Sequence, residues 1–465
     1  MKKTLLYTVT GIIPPAMTLM LLPVYLHYLS TSDYVVLALT NSFIAVFSIF
    51  FNLKTDQAYR TLYFHDTENT TKQKELFQTL FGFHCIGLFI WLLVFYLTGD
   101  WIFSLLFENN FSFFPNAWII LATFLVNNLC NLFYIHLQNT GKVKTYSLYI
   151  IVPTMAMHIF QLLVIFIFQL DFFWFLLTAL LVNCCAFLVM YSQNRSLFLF
   201  AFSKPLFIEA VKFSLPFIPF LILYNVESQL DRFFMERYLS IDELAGYAVL
   251  MGITAAILTF FNSIDNAIRP ELYHDLSAKK PSLITSVREK LNLYLMFGLM
   301  AFSFLLAFGS HIHWFLNHEK YNGIAEYFPW ITLAFLPVIG IRFWALQLVF
   351  DKKVGQINRF LLGKIIFLFL LFLVLIPIYK IYGALITIGI SNILNALVFF
   401  KLTPLKVLPS QKIKRFILLF IGLNTVIVLI EKTNFLSLVT VFQFLLMSGL
   451  FINYYRNHLK NIPES

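Results

Sequence analysis

The stretch Asp56-Gln57-Ala58-Tyr59-Arg60-Thr61-Leu62-Tyr63-Phe64-His65-Asp66 returns, in outline, as Asp265-Asn266-Ala267-Ile268-Arg269-Pro270-Glu271-Leu272-Tyr273-His274-Asp275. The shared positions are Asp56 and Asp265, Ala58 and Ala267, Arg60 and Arg269, His65 and His274, Asp66 and Asp275, each 209 residues apart. A long apolar run leads into both copies. Two copies of a short polar motif at the mouths of two apolar spans predict a duplicated membrane protein. Duplication inside a membrane points to a transporter.

Composition agrees. Of the 465 residues, 60% are hydrophobic and only 12% are charged, with a mean hydropathy of +0.79. Soluble domains keep roughly a quarter of their residues charged. Met1-Lys2-Lys3 before an apolar run resembles a signal peptide, but no small-residue cleavage site follows and Pro14-Pro15 interrupts the run, so it reads as a retained first span. Cys85, Cys130, Cys184 and Cys185 all fall in predicted spans without a CxxC pair and read as small apolar packers. His311, His313 and His318 share one loop but lack carboxylate or thiolate ligands at metal spacing, so no metal site is expected.

Hydropathy predicts an all-α membrane protein with about fourteen transmembrane helices. The spans fall near 4–26, 34–53, 77–98, 116–137, 148–169, 173–191, 213–238, 246–268, 290–310, 328–349, 359–379, 383–400, 416–430 and 435–455. With the N-terminus inside, about 27 of the 33 Lys and Arg lie on the inner side. Arg237, Lys320, Lys380 and Lys432 lie outside. This asymmetry predicts that both termini are cytoplasmic. It also accounts for most of the +10 net charge, so nucleic-acid binding is not expected. The longest inner loop, Leu53–Leu76, carries Lys54, Arg60, Lys72 and Lys74, suited to anionic membrane lipids.

Both motif copies close an outside-to-inside span, so the repeats run parallel. They form two six-helix bundles, 1–205 and 206–401, followed by an extra helix pair, 402–465. Tyr28-Leu29-Ser30 after the first span rhymes with Tyr238-Leu239-Ser240 after the seventh. Each of those spans holds two prolines: Pro14 and Pro15, then Pro216 and Pro219. Proline removes a backbone donor, so both spans should bend, as a structural kink or as a hinge. Asp56 with Arg60, and Asp265 with Arg269, are spaced for i,i+4 ion pairs. They read as helix-end anchors, or as a cytoplasmic gate holding the halves together while a cavity faces outward.

The seventh span is the most charged. It carries Glu227, Asp231 and Arg232 within six positions, with Ser228 and Glu236 nearby. A mid-bilayer charge costs roughly 2.5–3.5 kcal/mol on insertion scales, so these residues should line water or pair internally. Arg342, Lys364, Asn127, Asn128, Asn131 and Asn392 add polarity within other spans. A lone Asn is commonly inter-helix glue. Arg232, Arg342 and Lys364 together suit an anionic substrate, with Asn127 and Asn131 beside them, because Arg forks onto phosphate. Glu227 and Asp231 suit a coupling cation, H+ or Na+. No organic cofactor is expected.

Val211-Lys212-Phe213-Ser214-Leu215-Pro216-Phe217-Ile218-Pro219, then Asp231-Arg232-Phe233-Phe234, then Glu243-Leu244-Ala245-Gly246-Tyr247, resembles a known pattern. It is similar to the polysaccharide-transport branch, the O-antigen repeat-unit flippases of Wzx type, in the multidrug/oligosaccharidyl-lipid/polysaccharide (MOP) exporter superfamily. The likeness is most specific over 211–275. It implies a V of two six-helix bundles, a central cationic cavity and alternating access. The implied substrate is an undecaprenyl-diphosphate-linked oligosaccharide, flipped across the bacterial inner membrane. The resemblance implies a transporter and not an enzyme, with a polysaccharide polymerase and chain-length machinery as partners. Two rivals stand within the superfamily: a lipid II-type flippase, which the fourteen spans favour and a first span without arginine disfavours, and a cation-coupled multidrug exporter. A membrane glycosyltransferase would need more chemistry in its outer loops than Ser310–Tyr327 offers.

Overall fold

The computed structural model describes residues 2–63, 70–107, 112–169, 171–199, 201–215, 218–278, 283–312, 319–351, 354–430 and 436–460. The helices are α1 (Lys2–Tyr28), α2 (Thr31–Asn52), α3 (Thr55–Leu62), α4 (Thr70–Leu106), α5 (Trp118–Asn139), α6 (Val143–Phe166), α7 (Phe172–Gln193) and α8 (Lys204–Ser214). They continue as α9 (Ile218–Tyr238), α10 (Ile241–Ala278), α11 (Leu283–Ser310), α12 (Phe328–Phe350), α13 (Val354–Leu402), α14 (Gln411–Ile430) and α15 (Leu436–Lys460). A π turn, Phe113–Ala117, leads into α5, and a 3-10 helix, Glu319–Tyr327, leads into α12. No strand occurs among the described residues.

Ten segments among these residues are long and apolar enough to cross a membrane. One of them, Phe360–Leu402, counts for two predicted spans. It folds back at Lys380, where φ is 49°. The fold-back is tight: a Cβ on Gly383 would lie 2.2 Å from the Leu375 carbonyl oxygen, so only glycine fits. Helices α1, α9 and α14, which are not among the ten, lie where the other three spans are expected. The span windows of α6 and α7 bury only 17% of their residues, against 67% in α11. Apolar helices exposed to that degree need hydrocarbon around them. The chain is a multi-pass membrane protein.

The chain divides into two compact units. The first comprises 1–18 and 28–237, the second 19–27 and 238–465. The boundary in α1 falls just after Thr18, whose hydroxyl donates to the Pro14 carbonyl at 3.1 Å. Helix α1 is continuous through Pro14-Pro15. Pro216 lies outside the described residues, as do His65, Asp66, His313 and His318. The repeat read from sequence begins its second copy at 206, whereas α9 packs as part of the first compact unit. Repeat and compact unit are different divisions of the chain.

The Tyr-Leu-Ser rhyme is a pair of helix caps. Ser30 Oγ accepts from Asp33 N at 3.1 Å, and Asp33 Oδ2 accepts from Ser30 N at 3.3 Å. In the second copy Ser240 Oγ accepts from Glu243 N at 3.3 Å, and Glu243 Oε2 accepts from Ser240 N at 3.0 Å. Each box satisfies two amide donors that begin a helix without partners.

From these caps to the repeated motif the copies diverge. Asp56 follows Ser30 by 26 positions and Asp265 follows Ser240 by 25. In an unbroken helix one extra residue turns everything after it by about 100°. The first copy absorbs the residue in a break. Leu53 (φ 48°) and Lys54 (φ 54°) are both left-handed, and α3 starts afresh at Thr55. The second copy has no break, and its motif lies inside α10. The expectation that both motifs close one continuous span therefore holds for the second copy alone.

Candidate functional site

The break is held from several sides. Lys54 N donates to Asn52 Oδ1 at 2.9 Å, and Asn52 Nδ2 donates to Asn128 Oδ1 at 2.9 Å. Thr55 Oγ1 donates to the Asn52 carbonyl at 2.8 Å and meets His84 Nε2 at 2.9 Å. Ser214 Oγ, at the end of α8, donates to the Lys54 carbonyl at 2.9 Å. Left-handed geometry costs roughly 1–2 kcal/mol at a residue bearing a Cβ, so it persists where surrounding bonds over-determine it.

The motif residues divide by burial. Asp56 and Ala58 are buried, and Ala58 packs with Tyr59 and Leu62 in one cluster with Phe77, Phe133 and Phe198. Arg60 is exposed, and its Nη1 donates to Gln138 Oε1 at 2.8 Å. Asp265 is buried and Arg269 exposed. Neither expected i,i+4 pair forms between these described side chains. Instead Arg342 of α12 donates to Asp265 Oδ2 from Nη2 at 2.7 Å and from Nε at 3.2 Å. Tyr294 of α11 donates to Asp265 Oδ1 at 2.6 Å. The reason is burial: the aspartate turns inward to a partner on the packed helices, and the arginine, four residues on, stays at the surface. Asp275 pairs with Lys290 Nζ at 2.6 Å. The side chains of Asn262, Ala267 and His274 lie outside the described residues.

The structure thus merges two sets that the sequence kept apart. Asp265, read as a gate residue, and Arg342, read as a substrate cation, form one ion pair inside the second unit. Lys364 is also engaged: it is buried at 3% exposure, and Nζ donates to Asn395 Oδ1 at 2.7 Å across the α13 fold-back. Its ammonium lies 5.9 Å from the Phe360 ring centroid. In α9, Asp231 is buried and Glu227 half-buried. Arg232 is half-buried, with Nη1 donating to the Ser228 carbonyl at 3.3 Å and to Gln229 Oε1. Asn225 on the same helix donates to the Ala45 carbonyl of α2. Asn127 is exposed and Asn131 half-buried. Asn128, between them, is the one tied to the break.

Sequence reasoning missed His84, Thr55, Asn52 and Tyr294. The signal for the first three was the unequal spacing between cap and motif. Tyr294 looked like one more aromatic in an apolar span.

A separate feature lies on the outer face of the first unit. An apolar groove of about 720 Å³ runs between α6 and α7, from Thr145, Tyr149 and Gln193 at one end to Phe168 and Thr178 at the other. Val152, Pro153 and Ala156 line its middle. Pro153 deprives the Tyr149 carbonyl of its helical donor. Tyr134 Oη takes that place at 3.1 Å. Lys142, Lys144 and Arg195, all exposed, lie within one turn of the Thr145–Gln193 end.

No family model matches the sequence, and no curated protein matches it. Solved structures match the fold. The lipid II flippase MurJ in an inward closed conformation aligns with a TM-score of 0.67 over 99% of both chains at 13% identity. The MATE multidrug transporter DinF-BH, in a ligand complex, aligns at 0.63 over 88% of this chain and 97% of its own, at 15% identity. A mutant of the Vibrio cholerae MATE transporter VcmN aligns at 0.61 over 86% of this chain and 94% of its own, at 14% identity. At these identities the likeness shows the fold. It is an all-helical fold of repeated helical bundles, shared with the lipid II flippase and the MATE transporters.

Proposed function

We propose that the chain is a flippase for a polyprenyl-diphosphate-linked oligosaccharide, an O-antigen or related repeat unit, working by alternating access in the bacterial inner membrane. It acts without catalysis, and its products pass to a polysaccharide polymerase and chain-length machinery. One observation carries the choice of a lipid-linked substrate over a drug. The lipid II flippase aligns over 99% of the chain, whereas the multidrug transporters reach 86% and 88%. The shortfall, about 56–65 residues, is close to the 64 residues of 402–465, the segment that carries α14 and α15. A drug carrier of this fold needs no such addition.

The groove between α6 and α7 supports the same reading. Its lining runs along α6 from Thr145 to Val164, 20 residues or roughly 30 Å, about the thickness of the hydrocarbon core. A phospholipid chain occupies one leaflet, so a groove that crosses both suits a polyprenyl tail. Lys142, Lys144 and Arg195 at one end suit its diphosphate. Arg232 is the cation we assign to the translocating headgroup, because the bonds of its Nη1 go to neutral oxygens of its own helix.

Deletion of the gene should leave completed lipid-linked repeat units on the inner leaflet. Arg232→Ala should reproduce that accumulation at normal protein level. Normal surface polysaccharide together with increased drug sensitivity would make the chain a multidrug exporter and end this reading.

A further inference from the structure

Two buried acceptors, one in the first motif copy and one on α4, meet no donor among the described residues. Asp56 is 6% exposed and His84 4%. The tautomer of His84 follows from Thr55. That hydroxyl has one proton and donates it to the Asn52 carbonyl at 2.8 Å. At its 2.9 Å contact with His84 Nε2 it must therefore accept, which places the imidazole proton on Nε2. Nδ1 is then a bare lone pair. Neither His84 Nδ1 nor Asp56 Oδ1 has a hydrogen-bond partner among the described residues. Asp56 follows directly on Thr55, the residue that meets the imidazole. Leaving both acceptors buried and unmet is costly. An added proton satisfies both.

We propose that Asp56 and His84 form a proton-binding site whose occupancy governs the break at Leu53–Lys54. The proton comes from solution and adds to Nδ1. The imidazolium then directs Nδ1–H at the Asp56 carboxylate, while Nε2–H stays on Thr55. The charge of the pair goes from −1 to zero. Thr55 belongs both to this site and to the bonds that hold the break. Drawing Asp56 toward His84 turns the start of α3, and the left-handed pair is the compliant joint. Ser214 bonds the Lys54 carbonyl, so α8, which precedes the charged helix α9, feels the change.

Of the other charges near the site, Lys54 in the break itself is half-buried. Arg60 on α3 and Glu209 and Lys212 on α8 are exposed. His136 on α5 is bonded to Tyr59 Oη at 2.7 Å. Asp33 of α2 is spent on the cap at the far end of that helix. Glu75, on α4 with His84, lies nine residues earlier. The site is independent of the substrate proposed above, and serves a drug exporter of this fold equally well.

The test is hydrogen–deuterium exchange of residues 52–62 in the full chain in nanodiscs, between pH 2.5 and pH 8, corrected for intrinsic rates. Wild type should change protection about tenfold or more with a single-proton midpoint, the effect of a one-unit difference in proton affinity between two states. His84→Gln keeps a donor for Thr55 and takes no proton, so its profile should be flat. Asp56→Asn should lower the midpoint by about one unit or more, because an opposite charge at close range favours the imidazolium. Protection independent of pH in wild type overturns the proposal, as does a pH response surviving in His84→Gln. If His84→Gln does not fold, Asp56→Asn decides: an unmoved midpoint refutes the site.

Discussion

Arg342→Ala should destabilise the second unit strongly, and removing Asp265 as well should restore most of the loss. The aspartate side chain keeps 12% of its exposure and the arginine 24%. Three hydrogen bonds reach the carboxylate, two from Arg342 and one from Tyr294. Removing one partner of a buried ion pair costs about 3–5 kcal/mol, because the other charge is left uncompensated. Arg342 retains some access to water, and Tyr294 still donates in the variant. We therefore expect the lower end, about 3 kcal/mol. Asp265→Asn alone should cost less, since the freed guanidinium can reach solvent. In the double variant Asp265→Asn/Arg342→Ala no charge remains buried, so the loss should fall to about 1 kcal/mol, the cost of ordinary hydrogen bonds. Thermal unfolding in nanodiscs, read by Trp fluorescence, gives the four corners of the cycle. If Arg342→Ala unfolds with wild type, or if the double variant is no more stable than Arg342→Ala, the pair does not hold the carboxylate inside and the reasoning fails.

Three further outcomes can be read in the same way. Lys54→Gly should raise the unfolding midpoint, by about 1 kcal/mol in free energy, because glycine adopts the left-handed conformation without the Cβ penalty; a lower midpoint means that the lysine side chain holds the break. Gly309→Ala should destabilise markedly, since its Cβ would lie 2.1 Å from the Phe328 ring, whereas Gly422→Ala, with nothing within 4 Å, should leave stability unchanged or slightly higher. Ala156→Trp should fill the groove between α6 and α7 and reduce flipping of a polyprenyl-linked sugar in vesicles, with the unfolding midpoint held within a few degrees; undiminished flipping would place the tail elsewhere.

Much of this molecule is legible from residue order. The fourteen spans follow from hydrocarbon thickness, which demands about twenty apolar residues each time. Duplication follows from Asp56 to Asp66 and Asp265 to Asp275, because a repeated interval needs no geometry to be seen. The caps at Ser30 and Ser240 are local, set within four residues. The pairing of charges is different. The i,i+4 spacing proposes Asp265 with Arg269, but spacing says nothing about which side of a helix faces packed neighbours. Arg342 lies 77 residues away along the chain and 2.7 Å away in space. The same holds for His84 and Thr55, joined across 29 residues. A motif that is one signal in sequence therefore becomes two sites. The second copy is a clamped ion pair in an unbroken helix. The first is a buried aspartate at a break whose threonine meets a histidine, because one additional residue had to go somewhere. Sequence alone determined the membrane, the spans and the duplication, all of them local or periodic properties. Tertiary packing alone decided which buried charge meets which partner, because a carboxylate removed from water takes the nearest donor in space, whatever its number in the chain.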